Sequence, residues 1–285
     1  MQQYFPLLLV VLTNLLPAAI WAWFYTSRDP SKEPRVLLLF AFVVGGLMTL
    51  PVMLINSLAG TFGAGIFPWK LAAMVIPVLG AALVEELVKH TGVLFVMRQD
   101  RLAHDEVLDG IIYAVIVALG FAFVENIVYI WLSLWNAGTL TFDVVSVFIL
   151  RSLLSMFAHT VFSGFFGYYY ALGYIEPQLR REAHDRQALT LRSAMKGTRI
   201  SALSFAATAK VLRGGHDHFV EMKKSTSFQL VLEGMWLAAI LHMLYNLFLT
   251  WPPFGLSPFV VVTPYLGVLG GLLVWVIIRV RKPRV

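Results

Sequence analysis

The sequence predicts an all-α protein, a polytopic transmembrane bundle of about seven helices that forms one integral membrane domain over residues 1–285. Three observations carry this. The chain is 59% hydrophobic and only 13% charged, against about 25% charged for ordinary soluble domains, and its mean hydropathy is +0.76. Long apolar runs recur along it, each able to cross about 30 Å of hydrocarbon. The basic residues collect between alternate runs.

The first run, Phe5–Tyr25, follows an uncharged Met1-Gln2-Gln3 and lacks a small-x-small cleavage site, so a retained helix is expected in preference to a signal peptide. Arg28, Lys32 and Arg35 separate it from Val36–Ile55. The third run, Leu71–Met97, ends at Arg98 and Arg101, the fourth is Asp109–Trp135, and the fifth is Val144–Ile175. Residues 176–227 follow as a basic connection, either a helix lying on anionic lipid or a polar loop. The sixth and seventh runs are Phe228–Thr250 and Phe259–Val280, and Arg279, Arg281, Lys282 and Arg284 come at the end. Nineteen of the 22 basic residues lie on alternate connections, which share one side. By the positive-inside rule the N-terminus is expected outside, and the C-terminus and the 176–227 connection in the cytoplasm.

Composition also excludes classes. With no cysteine in the chain, disulfides and thiolate metal sites are ruled out, and a bound transition metal would have to use imidazole and carboxylate ligands. The formal charge of +6 reads as loop orientation and contact with anionic lipid, since no basic-aromatic groove for nucleic acid is evident.

Against this apolar background, Glu85, Glu86 and Lys89, Glu125 and Asn126, Arg151 and His159, and His242 and Asn246 stand inside membrane runs. Each ionisable group at a membrane centre costs roughly 2.5–3.5 kcal/mol on insertion scales unless it pairs, protonates or binds something. At about 1.5 Å per residue from the cytoplasmic ends, Glu85 and His242 lie about 20 Å deep, and Glu125 and His159 about 24 Å. Four helices therefore bring polar groups to one layer. The i,i+4 spacings of Glu85 with Lys89, of Arg151, Ser155, His159 and Ser163, and of His242 with Asn246 form stripes that should face a common wet cavity. Glu85 with Lys89 alone could be a neutralised ion pair, and one membrane histidine alone a structural hydrogen-bonder. Their conjunction at one depth points to a site.

Two forms of amide hydrolysis suit these residues. In one, Glu125, His159 and His242 hold zinc or another divalent ion and Glu85 or Glu86 takes a proton from water. In the other, Glu85 activates water without a metal, and histidine or asparagine donors stabilise the oxyanion. Lys89 would tune the glutamate pair. Other intramembrane proteases leave different marks. There is no His-Glu-x-x-His, no Gly-x-Gly-Asp, and Val161-Phe162-Ser163-Gly164 lacks the first glycine of Gly-x-Ser-Gly.

Taken in order, Glu85-Glu86-x-x-Lys89, Asp109-Gly110, Gly120-Phe121-Ala122-x-x-Glu125-Asn126, Arg151-Ser152, His159-x-x-x-Ser163-x-x-x-Gly167 and His242-x-x-x-Asn246 resemble the PrsW family of intramembrane proteases. The larger group includes the CAAX prenyl endopeptidases, but Phe121-x-x-x-Glu125 stands where those have Phe-x-x-x-His, which favours PrsW. The resemblance covers about residues 80–175 and 235–250. It implies a metalloprotease-class enzyme of the bacterial plasma (inner) membrane, acting on a transmembrane protein substrate within the lipid bilayer; the best-known member makes a first cut in a membrane-anchored anti-sigma factor. It also implies that Glu85 and Glu86 are catalytic and that Glu125, His159 and His242 are further active-site groups. Lys89, Asn126 and Asn246 complete the candidate set. The rival from another class is a proton- or ion-coupled transporter relaying protons through the same groups, for which inverted repeats would be expected; none is visible.

Overall fold

A computed structural model describes residues 5–63, 70–99, 105–139, 141–196 and 202–280. Its helices are α1 (Phe5–Thr26), α2 (Arg35–Gly63), α3 (Lys70–Val96), α4 (Val107–Ala137), α5 (Phe142–Ile149), α6 (Met156–Tyr170), α7 (Glu176–Lys196), α8 (Ala202–Thr250) and α9 (Pro258–Val280). Two π-helical segments, Leu150–Ser155 and Ala171–Ile175, join α5, α6 and α7 into one continuous rod. No strand occurs among the described residues.

Helices occupy all seven expected runs. Arg35–Ala59, Val107–Ala137, Val144–Gln187, Thr226–Thr250 and Pro258–Val280 are long and apolar enough to cross a membrane. The remaining two are α1, apolar over Val10–Thr26, and α3, whose 27 residues carry Glu85, Glu86 and Lys89 in their second half. The protein is an integral membrane protein. The 176–227 connection is largely helical, through α7 and the long N-terminal extension of α8.

The centre of the bundle is α4, buried continuously from Leu108 to Ala122. Lipid supplies no hydrophobic drive between membrane helices, so close backbone approach at small residues matters most. A Cβ at Gly45 of α2 would lie 1.9 Å from the Val117 carbonyl oxygen, and one at Gly120 of α4 would lie 1.9 Å from that of Phe42. Each glycine is therefore the condition for the α2–α4 crossing.

The start of α4 is fixed by a capping box in which the Asp109 Oδ2 accepts the Glu106 N–H at 2.6 Å. Asp109 is thus committed to a helix end and stands apart from the polar layer. The last turn of α4 closes on Gly138 in the left-handed region (φ 67), where a residue without Cβ is favoured. On the same side as Asp109, Ser31 Oγ donates to Asp105 Oδ2 at 3.0 Å and the Tyr113 hydroxyl donates to Glu33, so the first and third connections are tied together. Along α1 itself, Ser152 Oγ donates to Asn14 Oδ1 at 3.0 Å, and Trp21 stacks on Phe157 at 4.4 Å, locking α1 to the rod.

Candidate active site

Four elements converge on one buried polar cluster, as the depth argument requires. Glu85, Glu86, Lys89 and His90 come from α3, Glu125 and Asn126 from α4, Arg151 and His159 from the rod, and His242 from α8. Glu86, Lys89 and Asn126 are fully buried, and Glu85, Glu125, His159 and His242 nearly so.

Glu86 is the hub. Its Oε1 accepts from Lys89 Nζ at 2.5 Å and from His242 Nδ1 at 2.8 Å, and its Oε2 lies 3.2 Å from His90 Nε2. A carboxylate only accepts here, so the His242 proton sits on Nδ1 and leaves Nε2 facing Glu85 Oε2, 3.5 Å away. Lys89 also reaches His159 Nδ1 at 3.3 Å. The lysine thus pairs with Glu86 at i,i+3, and not with Glu85 at i,i+4.

A second chain of contacts runs through Glu125. Its Oε2 lies 3.0 Å from Arg151 Nη1 and 3.3 Å from His159 Nε2. Asn126 Nδ2 donates to the Arg151 carbonyl at 2.7 Å, a bond that satisfies backbone inside the π segment. The Arg151 guanidinium also lies over the Tyr129 ring at 3.7 Å. π segments often mark functional sites because their extra residue redirects side chains; this one carries Arg151 and Ser155 to the cluster.

The cluster borders a cavity of about 340 Å³ lined by Glu85, Glu125, Arg151, His159, His242 and Asn246, among others. Glu85 reaches it and Glu86 does not, which separates the two adjacent carboxylates. Lys89 and Asn126 also lie behind the wall. From Glu85, Glu125 and His242 the cavity extends N-ward along α3 to Val78, C-ward along α4 to Tyr129, and C-ward along α8 to Thr250. These directions all point to the end of the bundle opposite Arg98 and the basic connections.

Glu85, His159 and His242 each offer a ligand atom, and these atoms lie within 4.8 Å of one another. Two imidazoles and a carboxylate suit zinc or a similar divalent ion, so the residues fit one. The triad holds Glu85 where the sequence suggests Glu125, whose Oε2 is engaged by Arg151 and by His159 Nε2.

Three neighbours went unnoticed in the sequence. His90 stacks on Phe166 at 3.8 Å and backs Glu86, and its i+4 spacing from Glu86 was the available signal. Tyr129 and Tyr245 line the cavity, at i+4 from Glu125 and i+3 from His242. Ser163 continues the rod's polar stripe but is fully buried away from the cavity.

A family model for PrsW family intramembrane metalloproteases matches residues 33–203, more than half of the chain. The chain belongs to the PrsW family of intramembrane metalloproteases. Among curated PrsW relatives, Protease PrsW of Geobacillus kaustophilus is 34% identical over 163 residues, 57% of this chain and 65% of that protein. That of Clostridioides difficile is 31% identical over 159 residues, 55% and 63%, and that of Bacillus subtilis 28% identical over 153 residues, 53% and 62%. The chain therefore spans just under two thirds of the length of these relatives. No solved structure matches it. The match to the PrsW family model ends before His242, which joins the site by geometry.

Proposed function

We propose that this chain is an intramembrane endopeptidase of a bacterial plasma membrane, cutting a membrane-anchored protein at the Glu85–His159–His242 cavity. The observation that carries it is the separation of the glutamate pair: Glu85 faces a cavity between two histidines, while Glu86 is consumed behind the wall by Lys89 and His242. Glu85 takes the proton from a water in the cavity and passes it to the leaving amine. Glu86 holds His242 in one tautomer, as a carboxylate behind a working histidine does. Asn246, one turn along α8 from His242, offers an amide N–H where the carbonyl oxygen gains charge, while the unprotonated Nε2 of His242 accepts from the cavity water. Glu125, fixed by Arg151, orients His159. Glu85, His159 and His242 would hold a divalent ion, which when bound supplies Lewis-acid polarisation of the carbonyl and of water.

The extension of the cavity away from the basic connections supports approach of the scissile bond from the extracytoplasmic side, with the C-terminus in the cytoplasm. An anti-sigma factor is one substrate of this kind.

The test offers purified protein a library of single-pass substrates. Cleavage that disappears in Glu85→Gln and persists in the core control Ile111→Val supports the protease; normal cutting by Glu85→Gln rules it out. Proton uptake into proteoliposomes without any cleavage would favour a transporter.

A further inference from the structure

A second cavity, larger than the catalytic one, lies at the other end of the same helices. It encloses about 730 Å³ between the C-terminal end of α3, the second π segment with the start of α7, and α8 near Ser227–Val231. Leu94, Met97, Ile175, Phe228 and Val231 give it apolar walls, and Arg98 and Arg181 both reach it. Tyr170 and Tyr174, stacked at 5.3 Å, stand beside them. Neighbouring Arg180 is held by Glu176 at 2.5 Å, whereas neither Arg98 nor Arg181 has a carboxylate partner among the described residues.

The placement matters. Arg98 stands two residues beyond the end of α3, and Arg181 six beyond the second π segment, the level at which spanning helices meet lipid headgroups. Each π segment borders one cavity: Leu150–Ser155 supplies Arg151 and Ser155 to the catalytic one, and Ala171–Ile175 supplies Gly173, Tyr174 and Ile175 to this one.

We propose that this second cavity binds an anionic phospholipid, with the phosphate between Arg98 and Arg181 and the upper acyl segment against Leu94, Phe228 and Val231. Guanidinium is the side chain best matched to phosphate oxygens, and basic pockets between membrane helices are where such headgroups lodge. The volume suits a ligand of headgroup-plus-glycerol size. Apolar walls favour an acyl chain over a free hydrated anion. They also disfavour an acidic peptide, whose backbone N–H and C=O groups would need partners.

Native mass spectrometry of the full-length protein in detergent tests it. The protein is titrated with short-chain phosphatidylglycerol, short-chain phosphatidylcholine, inorganic phosphate and an acidic single-span peptide. Wild type is expected to retain phosphatidylglycerol at least about tenfold better than phosphatidylcholine, and Arg98→Gln/Arg181→Gln to lose that preference. Arg180→Gln should keep it. Val231→Trp, which fills the apolar end and spares both arginines, should also lose retention. Equal preference in the double variant and wild type overturns the proposal. Displacement of the lipid by inorganic phosphate at equal concentration reassigns the cavity to a free anion, and displacement by the peptide reassigns it to substrate; both also overturn it. Unfolding temperatures of the variants, matched to wild type, keep loss of binding distinct from loss of fold.

Discussion

His242 Nδ1 lies 2.8 Å from the same Glu86 oxygen that holds Lys89 at 2.5 Å, so one carboxylate from α3 both neutralises a buried ammonium and aims a histidine from α8. Removing it takes from the buried Lys89 its carboxylate partner and leaves it only the His159 contact. Glu86→Gln is expected to destabilise the protein by on the order of 3 kcal/mol and to abolish cleavage. Glu85→Gln, at the cavity edge, should cost at least about a hundredfold in kcat and leave the unfolding temperature in detergent unchanged. If the two variants lose stability equally, the assignment of roles within the pair is wrong.

Arg151 makes two contacts that a lysine cannot reproduce together: Glu125 at 3.0 Å and the face of Tyr129 at 3.7 Å. We expect Arg151→Lys to lower kcat/KM about tenfold. Tyr129→Phe should stay near wild type because the ring is kept, and Tyr129→Leu should fall with Arg151→Lys. Steady-state cleavage of a fluorogenic transmembrane substrate would separate them.

Outside the membrane layer, burial raises the Glu33 carboxyl from 4.5 to about 7; the charges of Asp29 and Asp105 add to the rise, and hydrogen bonds with Tyr113 and Asp109 oppose it. A carboxyl raised on folding contributes its full stability below its unfolded value and loses it as pH rises through the folded value. The Glu33 contribution to thermal stability should therefore decline from about pH 4.5 to about 7 and level off above. In Glu33→Gln this part of the decline should be absent, a difference readable in unfolding temperatures taken at half-unit pH steps.

Backbone meets backbone at the α2–α4 crossing, so Gly120→Ala must push the helices apart. The expected cost is at least about 2 kcal/mol, the scale of overpacking in a filled core. Gly271→Ala, where an added Cβ meets nothing within 4 Å, serves as the control. Denaturation in a mild detergent gives both values.

Metal content decides how far the family description applies to this chain. Wild type is expected to retain about one equivalent of a divalent ion after purification in zinc-containing buffer, and His159→Ala and His242→Ala to retain none. Arg180→Gln should keep it. Elemental analysis reads this without an activity assay, and equal, negligible metal in all four proteins would remove the ion from the reaction.

Much of this was legible in the chain because membrane helices leave coarse signals. Apolar length located the seven runs, and the energetic cost of Glu85, Glu125, His159 and His242 marked the shared layer before any packing was known. Partner choice was not legible. Whether Lys89 turns to Glu85 or Glu86 depends on helix rotation, since i,i+3 and i,i+4 are both open on one face. That Glu125 is drawn aside to Arg151 depends on a π segment, which adds a residue per turn without a composition signal. His90 and Tyr245 looked like ordinary neighbours in an apolar run.

His242 adds a consequence for biogenesis. Glu85 and His159 are made early, but the third member of the group waits on α8, after the whole 176–227 connection has been synthesised. A nascent chain stalled before that point holds two of the three residues on which the proposed hydrolysis depends. Insertion of α8 therefore completes the group, with α9 the one described helix still to follow.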